Sequence, residues 1–261
     1  MKGSEHRSFV RRYLFGTGVE IGAYKTPIPG ISPIHVDRFD HYAGAPTGAE
    51  FFGDACDLPM LDSSLDFVAT SHVIEHVADP VAAFNEWCRV LKDKGIIYMV
   101  VPDRRLTFDH TRPLTPIDHI LHDHRIGTTQ VDGTHIDDFV FGVDWERFSP
   151  DTAPQLVPSA REKLAVEYRT AISERREINI HFHTFEPQQM VALINSVNDL
   201  PGRSARMNML EVVEPFSRSR PDGFLIVARI DKPGAPVSKR SFWWKSRNDQ
   251  RSVLKVDARR F

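Results

Sequence analysis

Histidines, carboxylates and arginines gather in two stretches of the chain. Residues 103–125 read DRRLTFDHTRPLTPIDHILHDHR, and residues 181–184 read HFHT. An imidazole of near-neutral pKa can take a proton from a hydroxyl, so His119, His124, His181 and His183 are candidate general bases, with Asp103 as a catalytic carboxylate beside them. The same residue types can hold a divalent ion that lowers the pKa of a bound hydroxyl, and Asp118, His119, Asp123, His124, His181 and His183 form that candidate ligand set. In a strand, His181 and His183 share one face while Phe182 takes the other. Arg104, Arg105 and Arg112 offer forked guanidinium donors that could grip a carboxylate or phosphate on an acceptor. Plainer roles compete: Asp109 and Asp123 can cap helices, and Arg112, ahead of Pro113, can brace a turn.

These side chains need a scaffold, and the first hundred residues describe one. Short β-branched runs alternate with helical patterns, which is the sequence form of a parallel sheet with crossover helices. Residues 19–23, 33–36 ending in Asp37, 49–52 and 65–73 (LDFVATSHV) read as four strands. Asp79-Pro80 signals a helix start, and VAAFNEWCRVLK then places Val81, Phe84, Cys88 and Leu91 on one apolar face, ending at Lys92, Lys94 and Gly95. IIYMVVP follows as an apolar strand suited to the centre of a parallel sheet, closing at Pro102 and Asp103. Residues 104–188 break the pattern, with one helical segment near 159–175; so long an insertion reads as a lid or an acceptor wall. RMNMLEVV (206–213) and GFLIVARI (223–230) suggest an antiparallel pair at the sheet edge. The fold expected is α/β and doubly wound, a mostly parallel seven-stranded Rossmann-like sheet with an antiparallel closing hairpin and a long insertion after the fifth strand.

In order, GVEIGA, IHVDR, GDACDLPMLDSSLDFVATSHVIEHVADP and GIIYMVVPD resemble the class I S-adenosylmethionine-dependent methyltransferases over residues 15–103. The resemblance implies S-adenosylmethionine as cofactor and a role for each residue that follows a strand. Gly22 and Ala23 let the backbone approach it, and Glu20 anchors the loop and the ligand's amino acid end. Asp37 accepts hydrogen bonds from the ribose diol, Asp54 with Ala55 takes the adenine amino group, and His72 lies close to the sulfonium. Taken singly, each acid could be an ordinary turn residue; their joint order argues for the shared role. A dinucleotide fingerprint is absent, because Gly16 and Gly18 precede the first strand. DRRLTFDHTRPLT resembles a segment of predicted methyltransferases from bacterial polysaccharide and glycan biosynthesis clusters. That implies O-methylation of a sugar hydroxyl, in a polysaccharide, glycolipid or glycosylated metabolite, with a His/Asp base or a divalent metal removing the proton. The alternative is a cofactor-binding or regulatory protein that does not methylate, and Tyr24, Lys25, Thr26 and Pro27, standing where glycines are expected, are its argument.

With 33 basic against 35 acidic residues, the chain has no whole-molecule field for collecting nucleic acid. It also lacks an Asn/Asp-Pro-Pro-aromatic motif for a flipped base, so a small-molecule or glycan acceptor is expected. Cys56 and Cys88 are the only cysteines and no apolar run follows Met1, which favours a reducing, cytoplasmic setting. Residues 1–235 are read as the methyltransferase domain and 236–261 as a basic, Trp-containing tail. Its Phe242, Trp243 and Trp244 among lysines and arginines suit the inner membrane face or a glycosyltransferase partner; a cover for the domain body is the plainer reading.

Overall fold

Alternate residues of the central strands are apolar on both sides, which requires helices above and below them. The computed structural model describes residues 4–42, 44–216 and 222–232. In it β1 (Gly18–Ile21), β2 (Ile34–Asp37), β3 (Phe51–Phe52), β4 (Leu65–Ser71), β5 (Leu91–Pro102), β6 (Arg206–Phe216) and β7 (Gly223–Asp231) form one sheet, ordered β3-β2-β1-β4-β5-β7-β6. The pairs from β3 to β5 are parallel, and β7 runs antiparallel to both of its neighbours. The chain thus has the expected doubly wound sheet with a closing antiparallel pair.

Each face has its own core. Val68, Ile97, Met99 and Ile226 cluster with Phe84 and Trp87 of α2 (Pro80–Val90) and with Leu193 and Ile194 of α7 (Pro187–Asn198). On the other face Ala69, Tyr98, Val100 and Leu225 pack with Val10 and Leu14, the first of these from α1 (Ser4–Tyr13). Burial on both faces is why these strands read as continuous apolar runs.

Several boundaries differ from the expected ones. Helix α2 stops at Val90, because Leu91 already pairs with Leu65 and the Lys92 ammonium donates to Asp66 Oδ1 at 2.7 Å. Strand β3 is only two residues long, both exposed, as suits a sheet edge. Helix α7 is the ordinary crossover into β6, so the insertion ends at Glu186. Within it α3 (Ile117–Ile126), α4 (Ile136–Gly142), α5 (Trp145–Phe148) and α6 (Val157–Ser173) surround a third core of Phe139, Val140, Trp145, Leu164 and Phe182. The segment around residues 180–184 is not a strand.

Both cysteines are free thiols. Among the described residues no helix is long and apolar enough to cross a membrane. The tail at 236–261, with its tryptophans, lies outside the described residues.

The joint between β5 and β7 tolerates no side chain at Gly223, which pairs with Pro102. A Cβ there would sit 2.5 Å from the Val101 carbonyl oxygen. Because the obstacle is backbone, Gly223→Ala is expected to lower unfolding stability by about 1–3 kcal/mol; an unchanged urea midpoint would refute this.

Candidate functional site

Strand order reverses between β1 and β4, and in such sheets the ligand crevice opens beyond the carboxyl ends of the strands at that point. The loop after β1 is held from beneath by Glu20, whose Oε1 accepts from the Ile28 amide at 2.7 Å. Gly22 takes φ +68°, and an added Cβ would lie 2.8 Å from Val73, so the backbone passes close to the turn after β4. The Thr26 amide donates to Ala23 O at 3.0 Å, closing a tight turn where further glycines were expected. Glu20 is 1% exposed and its Oε2 has no hydrogen-bond partner. Burial pushes its carboxyl up to about 7, against the lowering effect of the Ile28 amide.

Asp37 ends β2 and accepts from the Phe39 amide at 3.0 Å. Burial raises its pKa, and the Phe39 and Arg38 amides oppose the rise. Asp54 accepts from the Cys56 amide at 2.7 Å and pairs with Arg38 at 3.0 Å. Arg38 also pairs with Glu177 of the insertion, and Tyr42, in edge contact with Tyr24, accepts from the Asn179 side chain. The insertion is therefore tied to the loops after β1 and β2. Ala55 is buried, and its carbonyl accepts from Trp87 Nε1 at 3.0 Å.

Beyond β4, His72 adopts φ +56° and its amide donates to Val100 O at 3.0 Å. Its ring nitrogens lie 3.6 Å from Glu75 Oε1 and 3.9 Å from Asp222. Glu75 is buried with neither carboxylate oxygen hydrogen-bonded, and burial raises its pKa well above the usual carboxylate range. His76 Nε2 is 3.8 Å from Glu75, and its Nδ1 donates to Ile180 O at 3.0 Å. Burial, with His181 adding to it, pushes His76 down to about 3, so its ring is neutral near pH 7.

His181 joins this group from the insertion. Its ring lies 4.7 Å from those of His76 and Phe108, and its Nδ1 donates to Asp109 Oδ2 at 2.5 Å. Arg112 donates to Asp109 Oδ1 at 2.7 Å. Burial alone would raise Asp109, but the His181 hydrogen bond and the Arg112 charge outweigh it and hold the carboxyl below its ordinary value. An ionised Asp109 can only accept, so Nδ1 of His181 is the donor and Nε2 is the ring nitrogen left for other chemistry. Ligand atoms of Glu75, His76 and His181 lie within 4.8 Å of one another and could hold a metal.

The other candidates are placed elsewhere. His183 does not share a face with His181: its Nε2 lies 3.0 Å from Asp123, in a second group with His119 and His135. His124 is not in that group; its Nδ1 donates to Asp79 at 2.8 Å and docks α3 on the N-cap of α2. Asp118 is exposed in the first turn of α3, outside both groups. Asp103 forms a two-point pair with Arg105, which also reaches Glu214. Arg104 binds Glu186 and two backbone carbonyls. Arg112 is buried against Asp109 and Asp138. All three guanidiniums make internal ties to carboxylates, Arg105 while its side chain stays 45% exposed. Glu75, His76, Asp109 and His135 had no catalytic or ligand role in the sequence reading; the adjacent Glu-His pair after the fourth strand was the available signal.

Residues 37–99 match the methyltransferase domain family, a stretch that contains Asp37, Asp54, His72 and Glu75. The cofactor of such domains is S-adenosylmethionine. A probable S-adenosylmethionine-dependent methyltransferase of Mycolicibacterium smegmatis is 38% identical over 66 residues, 24% of this chain and 25% of that protein. An uncharacterised protein in a Streptomyces fradiae transposon is 44% identical over 59 residues, 22% of this chain and 17% of its own length. The chain thus matches a quarter or less of each relative. The crystal structure of a methyltransferase from Methanosarcina mazei superposes with TM-score 0.45 at 18% identity, covering 85% of this chain and 96% of that one.

Glu20, in β1, offers a check on the electrostatics of this site. Its folded pKa is raised to about 7 from 4.5, so the folded state binds the extra proton and stability from this group is lost as pH rises through that window. Glu20→Gln should therefore gain on the wild type by about 2–3 kcal/mol between pH 4.5 and 8 in ligand-free urea unfolding. A pH-independent difference would contradict it.

Proposed function

We propose that the chain is an S-adenosylmethionine-dependent O-methyltransferase acting on a sugar hydroxyl, with His181 as general base. The residues around the switch point suit the cofactor. Gly22 gives a close backbone approach, Asp37 ends β2, Asp54 follows β3, and the Glu20 oxygen without a hydrogen bond suits a positively charged group. When bound, S-adenosylmethionine supplies a methyl group activated by its sulfonium.

The observation that carries the reading is the His181–Asp109 pair, backed by Arg112 and set against the turn after β4. A sugar hydroxyl is a poor nucleophile until its proton leaves, whereas a neutral amine needs no base; the dyad therefore favours oxygen. His181 Nε2 takes the proton, and Asp109 stabilises the imidazolium that results. His76, neutral near pH 7, does not compete for that proton. The resemblance of residues 103–115 to glycan-cluster methyltransferases supports the sugar as acceptor.

Metal-assisted deprotonation by Glu75, His76 and His181 is a second reading, favoured by the two unpartnered oxygens of Glu75. A cofactor-binding protein without activity is a third, favoured by Asp54 already being paired with Arg38.

Calorimetry with S-adenosylmethionine, followed by mass spectrometry of sugar acceptors for methyl gain and S-adenosylhomocysteine release, tests the proposal. His181→Gln should cut turnover by about 10²–10⁴ with cofactor affinity unchanged. Asp37→Ala should weaken cofactor binding about tenfold or more, near 1.4 kcal/mol. Glu75→Gln should keep turnover if His181 is a simple base and lose it if a metal assists. Binding without methyl transfer to any sugar would leave the non-catalytic reading, and no binding would sink all three.

A further inference from the structure

The second histidine group lies apart from the acceptor dyad and has a geometry of its own. His119 and Asp123 stand one turn apart on α3, His135 precedes α4, and His183 comes from the end of the insertion. Asp123 Oδ2 is 3.3 Å from His119 Nε2, 3.2 Å from His135 Nε2 and 3.0 Å from His183 Nε2. His119 and His135 Nε2 are 3.1 Å apart. All four ligand atoms lie within 4.8 Å of one another.

Hydrogen bonding alone serves this arrangement badly. If His119 and His135 bond to each other, one nitrogen accepts and its lone pair then faces the Asp123 oxygen, itself only an acceptor. If both donate to Asp123, their two N–H groups crowd each other at 3.1 Å. A cation at the centre removes the conflict, since all four lone pairs then point inward. Tetrahedral zinc with bonds of about 2.0–2.1 Å places its ligands about 3.3 Å apart, close to the separations seen here.

We propose that His119, Asp123, His135 and His183 bind one tetrahedral transition-metal ion of the zinc class, closed to substrate and structural in role. Three imidazoles and one carboxylate suit such an ion better than magnesium or calcium, which take mainly oxygen ligands. Asp123, His135 and His183 are buried, while the His119 side chain is 46% exposed and gives the ion its route in. The ligands are themselves oriented: His135 Nδ1 meets Thr134 Oγ1 at 2.9 Å, and Thr128 Oγ1 donates to Asp123 Oδ1 at 3.3 Å. The ion ties α3, the start of α4 and the segment carrying His181 into one body.

The test is metal analysis of the whole chain, stripped with chelator, incubated with Zn²⁺ and dialysed. The wild type should retain one equivalent that His119→Ala, at the exposed rim, and Asp123→Asn each lose or bind more than about tenfold more weakly. Glu75→Gln should leave this equivalent in place, which separates the ion from one at the acceptor site. Co²⁺ in place of Zn²⁺ should give the intense visible absorption of four-coordinate cobalt in the wild type and not in His119→Ala. A wild-type chain that retains no Zn²⁺, or a His119→Ala variant that binds it as tightly, would overturn the proposal, whether or not methyl transfer is found.

Discussion

Two short hydrogen bonds fix the insertion on the turn after β4, in addition to its ties to the loops after β1 and β2. The Phe182 amide donates to Glu75 O at 2.8 Å, and His76 Nδ1 donates to Ile180 O at 3.0 Å. These two bonds lay residues 180–182 across the turn after β4, where the strand order reverses. Without them the insertion would meet this edge mainly through Glu177, Asn179 and His124, which touch the loops after β1 and β2 and the start of α2. With them, His181 stands beside His76 and Glu75.

Carboxylates of one chemical type are sorted here by their neighbours. Glu20 and Glu75 are each buried with at least one oxygen that makes no hydrogen bond, and burial raises both. Asp109 and Asp123 are also buried, yet both are held below the ordinary value, Asp109 by His181 and Arg112 and Asp123 by three histidines. The first pair holds its protons to higher pH than ordinary carboxyls do. The second pair is biased toward the charged form, which suits residues that orient imidazoles.

The sheet was legible because its signals are local. Apolar runs, Asp79-Pro80 and the order of Glu20, Asp37 and Asp54 depend only on near neighbours; Glu20 lies in β1, Asp37 ends β2 and Asp54 follows β3. The insertion was much less legible, because its chemistry is assembled across long separations. Asp109 meets His181 across 72 residues, and Asp123 meets His183 across 60. Histidine spacing alone suggested that His181 and His183 act together, which assumes a regular strand; the irregular backbone there removes the shared face. The internal ties of the arginines were illegible for a related reason. A guanidinium beside a substrate and one beside buried aspartates look alike in sequence, and only the partners separate Arg112 from an acceptor clamp.

The tripeptide His181-Phe182-His183 shows how closely the two histidine groups are bound together. Phe182 is 1% exposed in the core of the insertion, so the backbone there can neither slide nor rotate without emptying that core. His181 is fixed by Asp109 and His183 by Asp123, one anchor on each side of the phenylalanine. Asp109 belongs to the stretch that follows β5, and Asp123 to α3. The position of His181 is therefore determined by two separate parts of the insertion acting through one buried ring. A change at Asp123 that freed His183 would be felt at His181 two residues away, although the two imidazoles serve different carboxylates. This coupling makes the insertion a single device for placing the His181 imidazole, rather than a loose lid that carries one.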